Sequence, residues 1–217
     1  MSEGWGMFGL AYAMFLAAHV VPARPGVRRA LVGALGERLY LAIYNAVAIG
    51  LLAWLIVAAN RAPYLGLWDP APWQAWLALL AMLPACLLVA SSVGAPNPFS
   101  FGGGDARRYD PEHPGIVGLT RHPLLVAMAL WAAAHLLANG DLAHLLLFGG
   151  FLAMALAGMA ALDRRRRRTL GEQAWRELRP RRRFDPSLYR LALGLVLYVL
   201  LLHLHEPVIG VRPLPWP

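Results

Sequence analysis

Three histidines stand where imidazole chemistry could be done: His19 in "MFLAAHVVPARPG", and His122 and His135 in "LTRHPLLVAMALWAAAHLLANGD". His19 and His135 lie inside apolar runs. An ionisable side chain buried in lipid is costly and is a functional candidate by default. A neutral imidazole is also the commonest protein ligand for a transition metal or haem iron. Tyr12 and Phe15 share a helical face with His19, at i−7 and i−4. Met128 and Trp131 stand in the same relation to His135. Both histidines read as candidate cofactor and metal ligands, the competing role being an interhelical hydrogen bond.

His122 does a different job. It lies 13 positions before His135, which on a helix is about 20 Å of rise and roughly 140° of rotation, so the two cannot ligate one small ion together. Arg121 and His122 are expected at the rim of the helix, where Pro123 fits the first turn because its missing N–H costs nothing there. This pair is the candidate catalytic or recognition group, able to meet an anionic headgroup or a polar substrate group. The plainer role for Arg121 is to anchor the helix end. His113, His144, His203 and His205 read as solvated, interfacial or structural.

The elements that must carry these residues are membrane helices. Of 217 residues, 59% are hydrophobic and 15% charged, against about 25% charged in an ordinary soluble domain. A spanning helix needs about 20 largely apolar residues. Six windows qualify: 5–23, 38–59, 73–94, 122–139, 141–162 and 187–204. The fold class expected is therefore all-α, a polytopic bundle of about six transmembrane helices. It forms one domain over 5–205 with a short tail at 206–217. Gly149, Ala153, Ala157 and Ala161 recur every four residues, a small-xxx-small stripe that would let another helix approach closely. Cys86 reads as a small core residue. The glycines at 102–104 lack the G-x-x-x-x-G-K-[ST] pattern of a phosphate loop.

Charge placement orients the chain. All 20 basic residues are arginine, and 18 of them fall in or beside the loops after the first, third and fifth windows. Arg-rich short loops stay cytoplasmic, so both termini are expected in the periplasm. The apolar N-terminal run lacks the charge order and cleavage site of a signal peptide and reads as a first span. The net charge of +8 is concentrated in "DRRRRRTLGEQAWRELRPRRRF", next to membrane segments. The expected partners of the 164–183 arginine cluster are thus anionic lipid headgroups, and no nucleic acid.

The segments "NPFSFGG", "GIVGLTRHPLLVAMALWAAAHLLANGDL", "LLLFGG" and "DRRRRRTLGEQAW" resemble the NnrU family of bacterial inner-membrane proteins. That family is related to 15-cis-zeta-carotene isomerase, and the likeness covers nearly the whole chain. NnrU proteins are associated with nitrate, nitrite and nitric oxide metabolism in denitrifying bacteria. The isomerase is a haem b enzyme that moves a polyene double bond from cis to trans. The resemblance implies haem b held by His19 and His135, and a lipophilic small-molecule substrate. Ala132 stands where the isomerase has a cysteine and Arg61 where it has a further histidine, so the resemblance does not carry over its exchange of axial ligands. The topology expected above puts His19 level with His122 and His135 nearer the other face. His19 with His122 is therefore the geometric alternative.

Two other functions fit part of the pattern. One is a non-enzymatic factor for assembly or haem supply of a respiratory nitrogen-oxide reductase. The other is a lipid methyltransferase using S-adenosylmethionine, since such enzymes also carry R-H-P at a helix start and, beyond the next helix, a G-x-x-[YW] segment that "LGEQAW" resembles with one residue more between Gly171 and Trp175. In that reading His122, Glu172 and Arg176 would line the pocket.

Overall fold

The computed structural model describes residues 2–181, 184 and 187–214. Among them every regular element is helical: α1 (Ser2–Val20), α2 (Pro25–Leu35), α3 (Glu37–Arg61), α4 (Pro72–Ser92), α5 (Pro123–Ala138), α6 (Leu142–Leu170), α7 (Glu172–Glu177) and α8 (Leu188–Ile209), with 3₁₀ turns at Ala106–Arg108 and Gly115–Gly118. Arg182 and Arg183 of the expected lipid-facing cluster, and the last residues of the tail, lie outside the described residues.

α3, α4, α6 and α8 are long and apolar enough to cross a membrane. Their lipid-facing character shows in what they expose. Ile49 on α3, Leu80 on α4 and Leu188 on α8 are open to the surroundings at 68%, 66% and 81%, as suits a fold whose solvent is hydrocarbon rather than water. The protein is an all-α polytopic membrane protein.

Two of the six expected spans take another form. The first window ends at Val20. Pro22 and Pro25 stop the helix, and the chain restarts 79° away as α2, an amphipathic segment carrying Arg28 and Arg29 where a loop was expected. α5 has 16 residues, about 24 Å of helix, short of the roughly 30 Å hydrocarbon core. Pro123 opens it and Asn139, in an extended conformation, closes it. α6 errs the other way. Its 29 residues span about 44 Å, so Arg164–Arg168 are helical and not loop. Gly171, at φ 82°, then breaks the chain into α7.

The structure divides into two compact units, residues 1–67 with 141–147, and residues 68–140 with 148–217. In the first unit α1 packs antiparallel to α3. A Cβ on Gly4 would lie 2.9 Å from the Arg61 carbonyl, and the Tyr12 hydroxyl donates to Leu146 O at 3.2 Å. In the second unit α4 packs against both α5 and α8. The closest approach is at Gly194, where a Cβ would sit 2.8 Å from Leu87 Cα. The stripe expected to make such contact does not: Ala153, Ala157 and Ala161 are exposed, and Phe148, Phe151 and Ala155 form the buried face of α6. Cys86 is buried, as expected.

A buried cluster of the second unit lies under the loop between α4 and α5. Phe99 is fully buried against Ala85, Leu88, Ile116, Val117, Ala127 and Trp175 of α7, with Phe99 and Trp175 edge to face at 5.1 Å. Gly103 and Gly104 are there for backbone packing, since a Cβ on either would fall within 2.6 Å of a carbonyl oxygen of Ala95 or Gly94.

Candidate functional site

The chain enters α5 through Thr120, Arg121 and His122, the last at φ −122°, ψ 58°. Pro123 blocks a helical conformation before it, so Arg121 and His122 are presented from the loop rather than the helix surface. Asn97 fixes that loop. Its amide donates to Arg121 O at 3.0 Å, and its Oδ1 accepts from the N–H groups of Phe99 and Ser100 at 2.8 and 3.2 Å.

Both rim residues converge on Asp163 of α6. Arg121 forks onto the carboxylate at 3.2 and 2.6 Å, and His122 Nε2 lies 2.8 Å from Asp163 Oδ1. The Arg121 guanidinium also sits 5.7 Å over the Trp175 ring. His122 is 4% exposed. A carboxylate can only accept, so the proton of the neutral imidazole is on Nε2 and the lone pair on Nδ1. Nδ1 is buried without a hydrogen-bond partner. Such an arrangement offers a base or an acceptor of fixed tautomer, with the charge that orients it neutralised by arginine. Arg121's donors, expected to meet an external anion, are engaged by an internal one.

Asp163 was not singled out in the sequence. The available signal was that it is the single acidic residue of α6, at the border of the apolar run and the arginines.

The deep histidines share one local geometry. His135 Nδ1 lies 2.8 Å from Trp131 O, and His19 Nδ1 lies 2.8 Å from Phe15 O. A carbonyl only accepts, so each Nδ1 donates and each Nε2 carries the lone pair. Metal-bound histidines are held in this way by an outer hydrogen bond. His135, in the second unit, is packed by Trp131 and Phe148 at ring distances of 5.4 and 5.0 Å, and the His205 ring is 6.2 Å away. His19, in the first unit, packs on Phe15 at 4.3 Å and meets the edge of Tyr44 at 6.2 Å. Among the described residues no cluster of three or more His, Cys, Asp or Glu exists that could hold a free metal ion.

The remaining histidines have structural partners. His144 joins Asp141 at 2.7 Å and Asn60 at 3.0 Å, and His113 joins Asp110 at 3.0 Å. His203 and His205 bond backbone carbonyls of Val199 and Val211 through Nδ1, the His203 bond repeating the i−4 geometry of the deep pair, so it is the surrounding rings that set His19 and His135 apart. Glu172, paired with both Arg167 and Arg176 on an exposed face, is held by them at a pKa of about 2. Its partners are arginines of α6 and α7 rather than buried His122.

No curated protein and no solved structure matches this chain. The model of the NnrU protein family matches residues 7–213, and with nearly the whole length covered the chain belongs to that family.

Proposed function

We propose that this NnrU protein binds haem b in the bacterial inner membrane, with both termini in the periplasm, and that His135 would help to hold it. The carrying observation is His135 packed by the rings of Trp131 and Phe148, with an Nδ1–H bond to Trp131 O, 2.8 Å long, that places the lone pair on Nε2. His19 is prepared in the same way within its own unit and is the second candidate. The donor set suits haem: imidazole nitrogens on apolar helices, with aromatic rings about them and no competing hard-ion cluster among the described residues.

When bound, haem would supply a redox-active iron to a lipophilic substrate, the proposed reaction class being cis-trans isomerisation of a polyene in the setting of nitrogen-oxide respiration. The chain's own contribution is positioning. His135 and His19 orient through backbone carbonyls. Asp163 keeps the proton on His122 Nε2 and leaves Nδ1 as an acceptor for a polar substrate group.

The test is the visible spectrum of the detergent-purified protein after expression with haem supply. The reading predicts a Soret band and sharp reduced-state peaks. A colourless protein that binds S-adenosylmethionine would replace it with the methyltransferase reading.

A further inference from the structure

A second site lies apart from these histidines, at the end of the second unit where α4 finishes and α8 begins. A cavity of about 170 Å³ opens there, walled by Ser91 of α4, Arg108, Tyr109 and His113 of the loop, and Ser187 and Arg190 at the start of α8. Its depth follows from its walls. The last turn of one spanning helix and the first turn of another meet at the level where lipid headgroups lie.

The charge of the wall is set by which groups are already spoken for. Among the described residues Asp110 is the acid in it, and that carboxylate accepts from His113 at 3.0 Å and from the Glu112 N–H at 2.9 Å. Arg190 uses Nη1 to cap α4, donating to the carbonyls of Ala90, Ser91 and Val93 at 3.2, 3.4 and 2.7 Å. That leaves its other donors for a ligand and offsets the negative end of the α4 dipole. The Arg108 side chain makes no hydrogen bond among the described residues. Tyr109 packs edge-on against Phe99 at 5.9 Å, and its hydroxyl is buried with no partner among the described residues. A buried donor without an acceptor is destabilising, so an acceptor supplied by a ligand is favoured there. Burial and the Asp110 charge push the Tyr109 pKa to about 12, which keeps the hydroxyl a donor.

We propose that this cavity binds a phosphate group, with Arg108 and Arg190 supplying charge and the Tyr109 hydroxyl a hydrogen bond. The volume admits a phosphate with a small polar substituent and is far below the roughly 300–1,000 Å³ of a drug-sized pocket. The group can come from a phospholipid headgroup or from free phosphate. Among the described residues, no arginine of the 164–183 cluster is in its wall.

The experiment measures binding to the full-length protein in neutral detergent by calorimetry. The probes are a short-chain phosphatidic acid, a short-chain phosphatidylcholine and inorganic phosphate. The variants are Arg108→Gln, Tyr109→Phe and, as a control outside the cavity, Arg176→Gln, each checked by its thermal unfolding midpoint. Wild type should bind phosphatidic acid at least tenfold tighter than phosphatidylcholine. Arg108→Gln should weaken it about tenfold and Tyr109→Phe by severalfold, the range expected for one charged and one neutral hydrogen bond, while Arg176→Gln changes nothing. Inorganic phosphate competing as well as the lipid would assign the free anion as ligand, and its failure to compete would assign the headgroup. Equal binding by wild type, Arg108→Gln and Tyr109→Phe, or no preference for the anionic lipid, overturns the proposal.

Discussion

His122 Nε2 lies 2.8 Å from Asp163 Oδ1, joining residues 41 apart in the chain, and the same carboxylate carries the fork of Arg121. The rim of α5 is thus held by one acid shared between two partners. With His122 buried and Arg121 half open, the acid's contribution is greater than that of a surface pair, whose worth is about 0–1 kcal/mol.

Asp163→Ala should therefore lower stability by about 1–3 kcal/mol, the cost of leaving a buried partner unsatisfied. His122→Ala in that background should cost less than it does alone, since groups in one network are not additive. Arg121→Lys keeps the charge but loses the planar fork and the contact with Trp175, so it should lower the midpoint while insertion stays normal. Thermal unfolding in detergent of the single and double variants measures all three. Strict additivity would show that the shared carboxylate does not couple the pair.

Two glycines separate the small-residue pattern in the sequence from the packing the fold uses. A Cβ on Gly194 would come within 2.8 Å of Leu87 Cα, while one on Gly149 would meet only Leu136 Cδ1 at 3.7 Å. Gly194→Ala should destabilise by about 1–3 kcal/mol, as overpacking does. Gly149→Ala should be neutral or slightly stabilising, since alanine favours a helix. Urea or thermal unfolding of the two variants decides it, and equal effects would contradict the packing described.

What could be read from the sequence and what could not divides along range. Composition and apolar runs placed α3, α4 and α8 within a few residues, because a spanning helix is a local property of length and hydropathy. The bend at Pro22–Pro25 and the brevity of α5 depend on prolines and an asparagine whose effect on a helix end is conditional on what packs beyond it. The small-xxx-small stripe on α6 is a true pattern that faces outward, because spacing alone does not say which face meets a neighbour. At the site, Arg121 and His122 were legible as a charged pair at a helix start. Asp163 was hidden by the arginines that follow it, and only the fold brings it across 41 residues. The i−4 carbonyl bonds of His19 and His135 are local and follow from helix geometry, but their direction depends on rotamers that the sequence does not specify.

Topology offers an independent check. Eighteen of 20 arginines lie on one side of the expected spans, so a reporter fused after Pro217 should be active in the periplasm and one inserted near Arg168 in the cytoplasm. A cytoplasmic C-terminus would mean that α5, or the α1–α2 pair, does not cross as a span.

Haem ligation by His135 is the central claim, and replacing its imidazole tests it most directly. Purified His135→Gly, compared with wild type by visible absorption of the oxidised and reduced protein, should lose haem or shift it to a high-spin spectrum. Adding free imidazole should restore the low-spin peaks by refilling the vacated side-chain space. Wild-type spectra in His135→Gly, or a haem loss that imidazole does not reverse while the protein remains folded, would contradict His135 as the ligand.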